Sequence, residues 1–160
     1  MLSPFDGLQI PRDLVCEFFA VFSRFEFTLN ESGFVSANRY GRATPNWSRY
    51  CEKISAALSP NGNEPLAAAI DDLISDPPQV QIAQGNTTIW QAVPLRGNTE
   101  IELALDATQR VRNNLFHGGK HTPHSPPGRD ERLVRAALVV LHACLSVGGD
   151  FKAIYEQTAF

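Results

Sequence analysis

The chain holds little sulfur. Its three cysteines, Cys16, Cys51 and Cys144, are odd in number and far apart, and there is a single methionine. Such a set makes no disulfide framework and fits reduced core thiols of a cytoplasmic protein. Long apolar runs are missing too. The longest, Ala136–Leu145, is broken by His142, and it falls far short of the ~20 residues that cross a bilayer, so no membrane contact is expected. Met1–Ile10 has neither a basic start nor an apolar stretch, and no signal peptide is read there. Heptads, fixed-period repeats and long low-complexity runs are absent as well, which leaves no sign of a coiled coil or a solenoid.

What remains is an ordinary globular composition. With 160 residues, 43% of them hydrophobic, one domain over 1–160 with a single continuous core at about 11–147 is expected. The net charge of −3 argues against a non-specific nucleic-acid binder. Its distribution says more. Met1–Asp106 holds seven basic and thirteen acidic residues, a net of −6, whereas Ala107–Arg135 carries +4 from Arg110, Arg112, Lys120, Arg129, Arg132 and Arg135 against Asp130 and Glu131.

Helical spacing dominates the pattern. Pro11 and Asp13 suit the start of a helix whose stripe runs Val15, Phe19, Phe22, Glu26, Leu29. Five phenylalanines between Phe18 and Phe27 make that helix apolar nearly all round, as in the centre of a bundle or at a subunit contact. Asn30–Pro45 reads as a loop with a short extended piece. Further helices are predicted over Trp47–Leu58, from an Asn63 cap to about Ile74, from an Asn98 or Thr99 cap to His117, and over Arg129–Val147. Val80, Ile82, Thr88 and Trp90 around Gly85-Asn86 predict a small hairpin or an ordered loop, and Phe151, Ile154 and Tyr155 allow one packed turn at the end. The fold class is therefore all-α: an up-and-down bundle of four to five helices with a small β-hairpin or loop insert.

The informative stretch is Arg110-Val-Arg-Asn-Asn-Leu-Phe-His-Gly-Gly-Lys120. Arg112 interrupts the stripe Ile101, Ala104, Leu105, Thr108, Leu115, as Glu26 interrupts that of the first helix, so the two charges are expected to meet. His117 stands at the glycine-stopped end of the same helix. An imidazole, able to give or take a proton, beside a fixed guanidinium fork suits phosphodiester chemistry. Asn113 and Asn114 are poor helix formers, which points to hydrogen-bonding duties. Arg110, Asn114 and Lys120 are expected to contact RNA.

Arg112-Asn113-Asn114-Leu115-Phe116-His117 resembles the R-x4–6-H motif of the HEPN superfamily, including the asparagine after the arginine. The resemblance implies an all-α bundle and a metal-independent endoribonuclease, either a toxin of a toxin–antitoxin pair or a defence effector. It implies catalytic roles for Arg112, His117, Asn113 and Glu26, and a homodimer with a composite cleft. An antitoxin protein would then be a possible partner. Position 119 is glycine where some toxin members have a tyrosine, so control through that tyrosine is not implied. Members that have lost catalysis set the alternative: a module binding RNA, a nucleotide or a protein partner.

A metal reading of His117, His121 and His124 with Cys144 or Asp130 fares worse. Gly118, Gly119 and Pro123 break any helix that would align them, and neither C-x2-C nor H-E-x-x-H occurs. No metal and no cofactor are expected. His142 is expected to be a hydrogen-bonded core or interface residue.

Overall fold

Residues 1, 3, 5–117 and 125–157 are described by the computed structural model. Among them the chain forms six helices and two small antiparallel hairpins. The order is α1 (Arg12–Glu31), β1 (Val35–Ala37), β2 (Ala43–Pro45), α2 (Trp47–Ser55), α3 (Glu64–Ser75), β3 (Val80–Gln84), β4 (Thr87–Gln91), α4 (Glu100–Phe116), α5 (Arg129–Ser146) and α6 (Asp150–Glu156). None of these helices is long and apolar enough by itself to cross a membrane.

The caps are local chemistry. Asn46, Asn63 and Thr99 each accept a bond from the backbone N–H three residues on, satisfying one otherwise orphaned donor of α2, α3 and α4. Glu102 reaches back from the first turn of α4 to the N–H of Asn98, at 2.8 Å. Gly97 makes this approach possible. It sits at φ +148°, and a Cβ there would stand 2.6 Å from the Cβ of Glu102.

The centre of the molecule is α5, not α1. Leu133, Val134, Ala137, Val140, Leu141 and Cys144 are buried on several sides of α5, which packs against α1, α3, α4 and α6. In α1 the buried face is Leu14, Phe18, Phe22, Phe25 and Leu29, while Phe19 and Phe27 remain about half exposed. The stripe expected through Val15 and Phe19 is therefore turned by about one residue. An aromatic cluster explains the choice. Phe25 stacks on Trp47 of α2, with centroids 5.4 Å apart, and meets Tyr50 edge-on and Phe151 of α6. Such contacts add to plain area burial and fix the rotation of the helix.

Other expectations are corrected. Cys16 is exposed, Cys51 and Cys144 alone being core thiols, and His142 is exposed too, which removes the core half of its reading. The stretch read as a loop with an extended piece is a hairpin, with Val35 opposite Pro45, Ser36 opposite Thr44 and Ala37 opposite Ala43. The second hairpin turns at Gly85-Asn86 as expected, pairing Val80 with Gln91 through Gln84 with Thr87.

Candidate functional site at the end of the fourth helix

Packing α1 against α4 and α2 brings the two interrupting charges together. Arg112 Nη2 lies 3.8 Å from Glu26 Oε2. The other carboxylate oxygen of Glu26 accepts a bond from Trp47 Nε1 at 3.0 Å. Both charged side chains keep about a third or a quarter of their surface exposed, at 33% and 27%. This is a half-buried, loose pair rather than a sealed core bridge.

The guanidinium is held by stacking more than by hydrogen bonds. It lies over the rings of Phe116 and Phe22, 4.8 and 5.5 Å from their centroids. Nη1 donates to Asn113 Oδ1 at 3.0 Å. Nε is buried and has no acceptor among the described residues. Arg112 therefore has donor capacity to spare. Beside it, Phe116 stacks with Phe19 of α1 at 5.2 Å, both rings about half exposed.

His117 is the C-cap residue of α4, its backbone N–H donating to Asn113 O. Its side chain is exposed, and no hydrogen bond or ion pair joins the imidazole to another described residue. Glu26, Arg112 and Asn113 are thus brought into contact, and His117 follows one turn on. Lys120, His121 and His124 lie outside the described residues. Among the described residues no group of three His, Cys, Asp or Glu side chains is arranged to hold a metal ion.

The RNA contacts expected of Arg110 and Asn114 are corrected. Arg110 is 8% exposed, donates to Val93 O and Pro94 O at 2.6 Å each, and pairs with Asp106 at 2.8 Å. Asn114, 7% exposed, donates to Gln79 O at 2.9 Å. Together they fasten both ends of the β3–β4 hairpin to α4. The three arginines at the start of α5 are paired internally as well. Arg129 and Arg132 pair with Asp76, Arg132 also with Asp72, and Arg135 with Glu131.

Sequence reasoning missed Trp47 as a partner of Glu26, because it reads as one more apolar residue of its helix. It also missed a cavity of about 480 Å³ behind Trp47, between α2, α4, the β1–β2 hairpin and the segment 96–98. Arg96, Glu52, Glu102 and Gln109 line it. They come from three separate segments, so no spacing rule gathers them. The chain matches no protein-family model, no curated protein and no solved structure.

Proposed function

We propose that the chain is a metal-independent endoribonuclease of HEPN type, built on an up-and-down helical bundle and acting as a toxin or defence effector in the cytoplasm. The observation that carries this reading is the underused guanidinium of Arg112. It is held between two rings, only loosely paired with Glu26, and stands five residues before an exposed histidine. An anion arriving there finds a charged donor fork whose orientation is already fixed.

In this reading Arg112 holds the scissile phosphate and Asn113 orients the fork. Glu26, itself fixed by Trp47, limits the swing of Arg112. The ribose 2′-oxygen attacks phosphorus and loses its proton to solvent. His117 gives a proton to the departing 5′-oxygen. The products are a 2′,3′-cyclic phosphate and a 5′-hydroxyl, and DNA, lacking the 2′-hydroxyl, is not cut. A homodimer would join two such sites in one cleft, and an antitoxin protein would be a natural partner.

One observation favours the second reading, a non-catalytic module that binds RNA, a nucleotide or a protein: no described residue holds the imidazole against Arg112. A single experiment separates the two. Labelled single-stranded RNA is incubated in EDTA with wild type, Arg112→Ala and His117→Ala proteins, folding being checked by circular dichroism. The nuclease reading expects cyclic-phosphate ends and a fall of about 10²–10⁴-fold in rate for either variant. Folded wild type that binds several RNAs and cuts none establishes the module instead.

A further inference from the structure

The cavity behind Trp47 is linked to the Arg112 site through two of its wall residues, although Arg112, Asn113 and Glu26 do not line it themselves. Trp47 forms part of its wall and donates to Glu26, which faces Arg112. Gln109, also in the wall, lies three residues before Arg112 on α4, or ~4.5 Å along the helix. The cavity's volume of about 480 Å³ falls in the roughly 300–1,000 Å³ range of sites that enclose small organic ligands.

The polar groups of the wall are unequally available. Asp106 is saturated. Its Oδ1 takes two bonds from the Arg96 guanidinium, at 3.0 and 2.9 Å, and its Oδ2 takes Arg96 N and Arg110. Glu102 accepts from Ser55 Oγ at 3.1 Å and from Asn98 N at 2.8 Å. Gln109 donates its amide N–H to Leu105 O, which leaves its amide oxygen. Glu52, an exposed residue of the cavity wall, has a carboxylate with no partner among the described residues. What the cavity offers an incoming group is thus hydrogen-bond acceptance from Glu52 and Gln109, beside donors on Asn46, Ser48 and Asn98 that suit the carbonyl and ring nitrogen of a base. At its mouth stands one cation, Arg96, whose side chain is 83% exposed.

We propose that this cavity is a nucleobase pocket of the RNA site, receiving the base next to the phosphate on Arg112 and selecting bases that carry an exocyclic amino group, guanine above all. A carboxylate reads a base edge by accepting from its donors. Guanine presents an imino N–H and an amino group side by side and meets Glu52 with two parallel bonds. Adenine and cytosine offer the amino group alone. Uracil places a single N–H between two carbonyls, which a carboxylate repels. Arg96 at the mouth meets the phosphate of the same nucleotide, offsetting the repulsion that Glu52 would otherwise exert on it. The proposal rests on RNA being the substrate of the Arg112 site, and its test is chosen to be independent of cleavage.

The two tryptophans, Trp47 and Trp90, give separate indole N–H signals in a ¹⁵N-labelled protein. Trp47 is in the cavity wall and Trp90 is on β4 of the remote hairpin. His117→Ala protein is titrated with GMP, AMP, CMP and UMP, alone and with Glu52→Gln added. The expected result is a shift of the Trp47 signal and not of Trp90, with UMP at least about tenfold weaker than GMP. Glu52→Gln should erase that difference while keeping its fold. Equal binding of all four nucleotides, an unmoved Trp47 signal, or a preference untouched by Glu52→Gln would overturn the pocket. Wild type that cuts RNA in EDTA without regard to base would keep the ribonuclease and likewise remove the pocket. Selective nucleotide binding by a protein that never cuts RNA would keep the pocket and remove the ribonuclease.

Discussion

The three cysteines occupy three environments, and their reactivity should follow. Cys144 is fully buried and Cys51 nearly so. Burial pushes both thiols up to about 12, helped at Cys51 by the carboxylates of Glu102 and Asp106. The thiolate is the nucleophile, so these two groups should be inert near neutrality for reasons of both charge and access. Cys16 is exposed on α1. Brief alkylation at pH 8 should therefore place one label on the native protein, at Cys16, and three after denaturation, counted by intact mass. Rapid labelling of Cys144 in the native state would mean that α5 is not the closed core described above. The same distinction explains what was legible residue by residue. Glu26 and Arg112 are opposite charges on apolar stripes, and that anomaly announces a meeting. The burial of Arg110 gave no such signal, because two of its partners are the backbone carbonyls of Val93 and Pro94. Only Asp106, four residues earlier, hinted at an internal bond.

At the level of elements, the helices were legible because each keeps a 3.6-residue period and a recognisable cap, as Asn63 and Thr99 show. The β1–β2 hairpin was not. Its strands are three residues long, and β1 is exposed throughout, so no alternation of apolar and polar residues marks it. The hairpin β3–β4 was legible from Gly85-Asn86 and its flanking residues, but its attachment to α4 was not. A two-stranded hairpin is marginal by itself in water, and most of this one is exposed. Arg110 and Asn114 should then decide how firmly it docks. Asn114→Ala leaves Gln79 O without its donor, at a cost of about 1–2 kcal/mol, and should speed amide exchange in Val80–Gln91 more than in α5. Arg110→Ala strands the buried Asp106 with Arg96 alone and opens two carbonyls, and should cost about 3–5 kcal/mol of global stability. Urea unfolding and hydrogen exchange read the two effects separately. Equal exchange rates in wild type and Asn114→Ala would show that the hairpin is held by other contacts.

Across the described residues, the charge asymmetry of the sequence does not become a face of unpaired cations. Much of the positive charge of the last third is spent tying α5 to α3, where Arg129 and Arg132 converge on Asp76. Arg129 Nε donates to Asp76 Oδ2 at 2.7 Å, and its Nη2 also reaches Oδ1 and the carbonyls of Asp76 and Pro77. These bonds, with the neighbouring charges, hold the Asp76 carboxyl below its usual value of 3.8 against a smaller opposing effect of burial. A carboxyl that is more acidic in the folded state binds a proton more readily when unfolded. Its stabilising contribution is complete above the unfolded value and drains away as pH falls through 3.8 and then through the lower folded value. Asp76 keeps 46% of its side chain exposed, so solvent screening limits that contribution to about 1 kcal/mol at neutral pH. Asp76→Asn should lower the urea midpoint at pH 7 and lose its difference from wild type progressively as pH falls below 3.8, with the slope of the transition unchanged. A difference of the same size across that range would assign the loss to packing at the end of α3 rather than to the ion pair. Acid unfolding would then begin elsewhere than at the α3–α5 junction, and the internally paired charge of the last third would be an incidental feature of the fold rather than one of its supports.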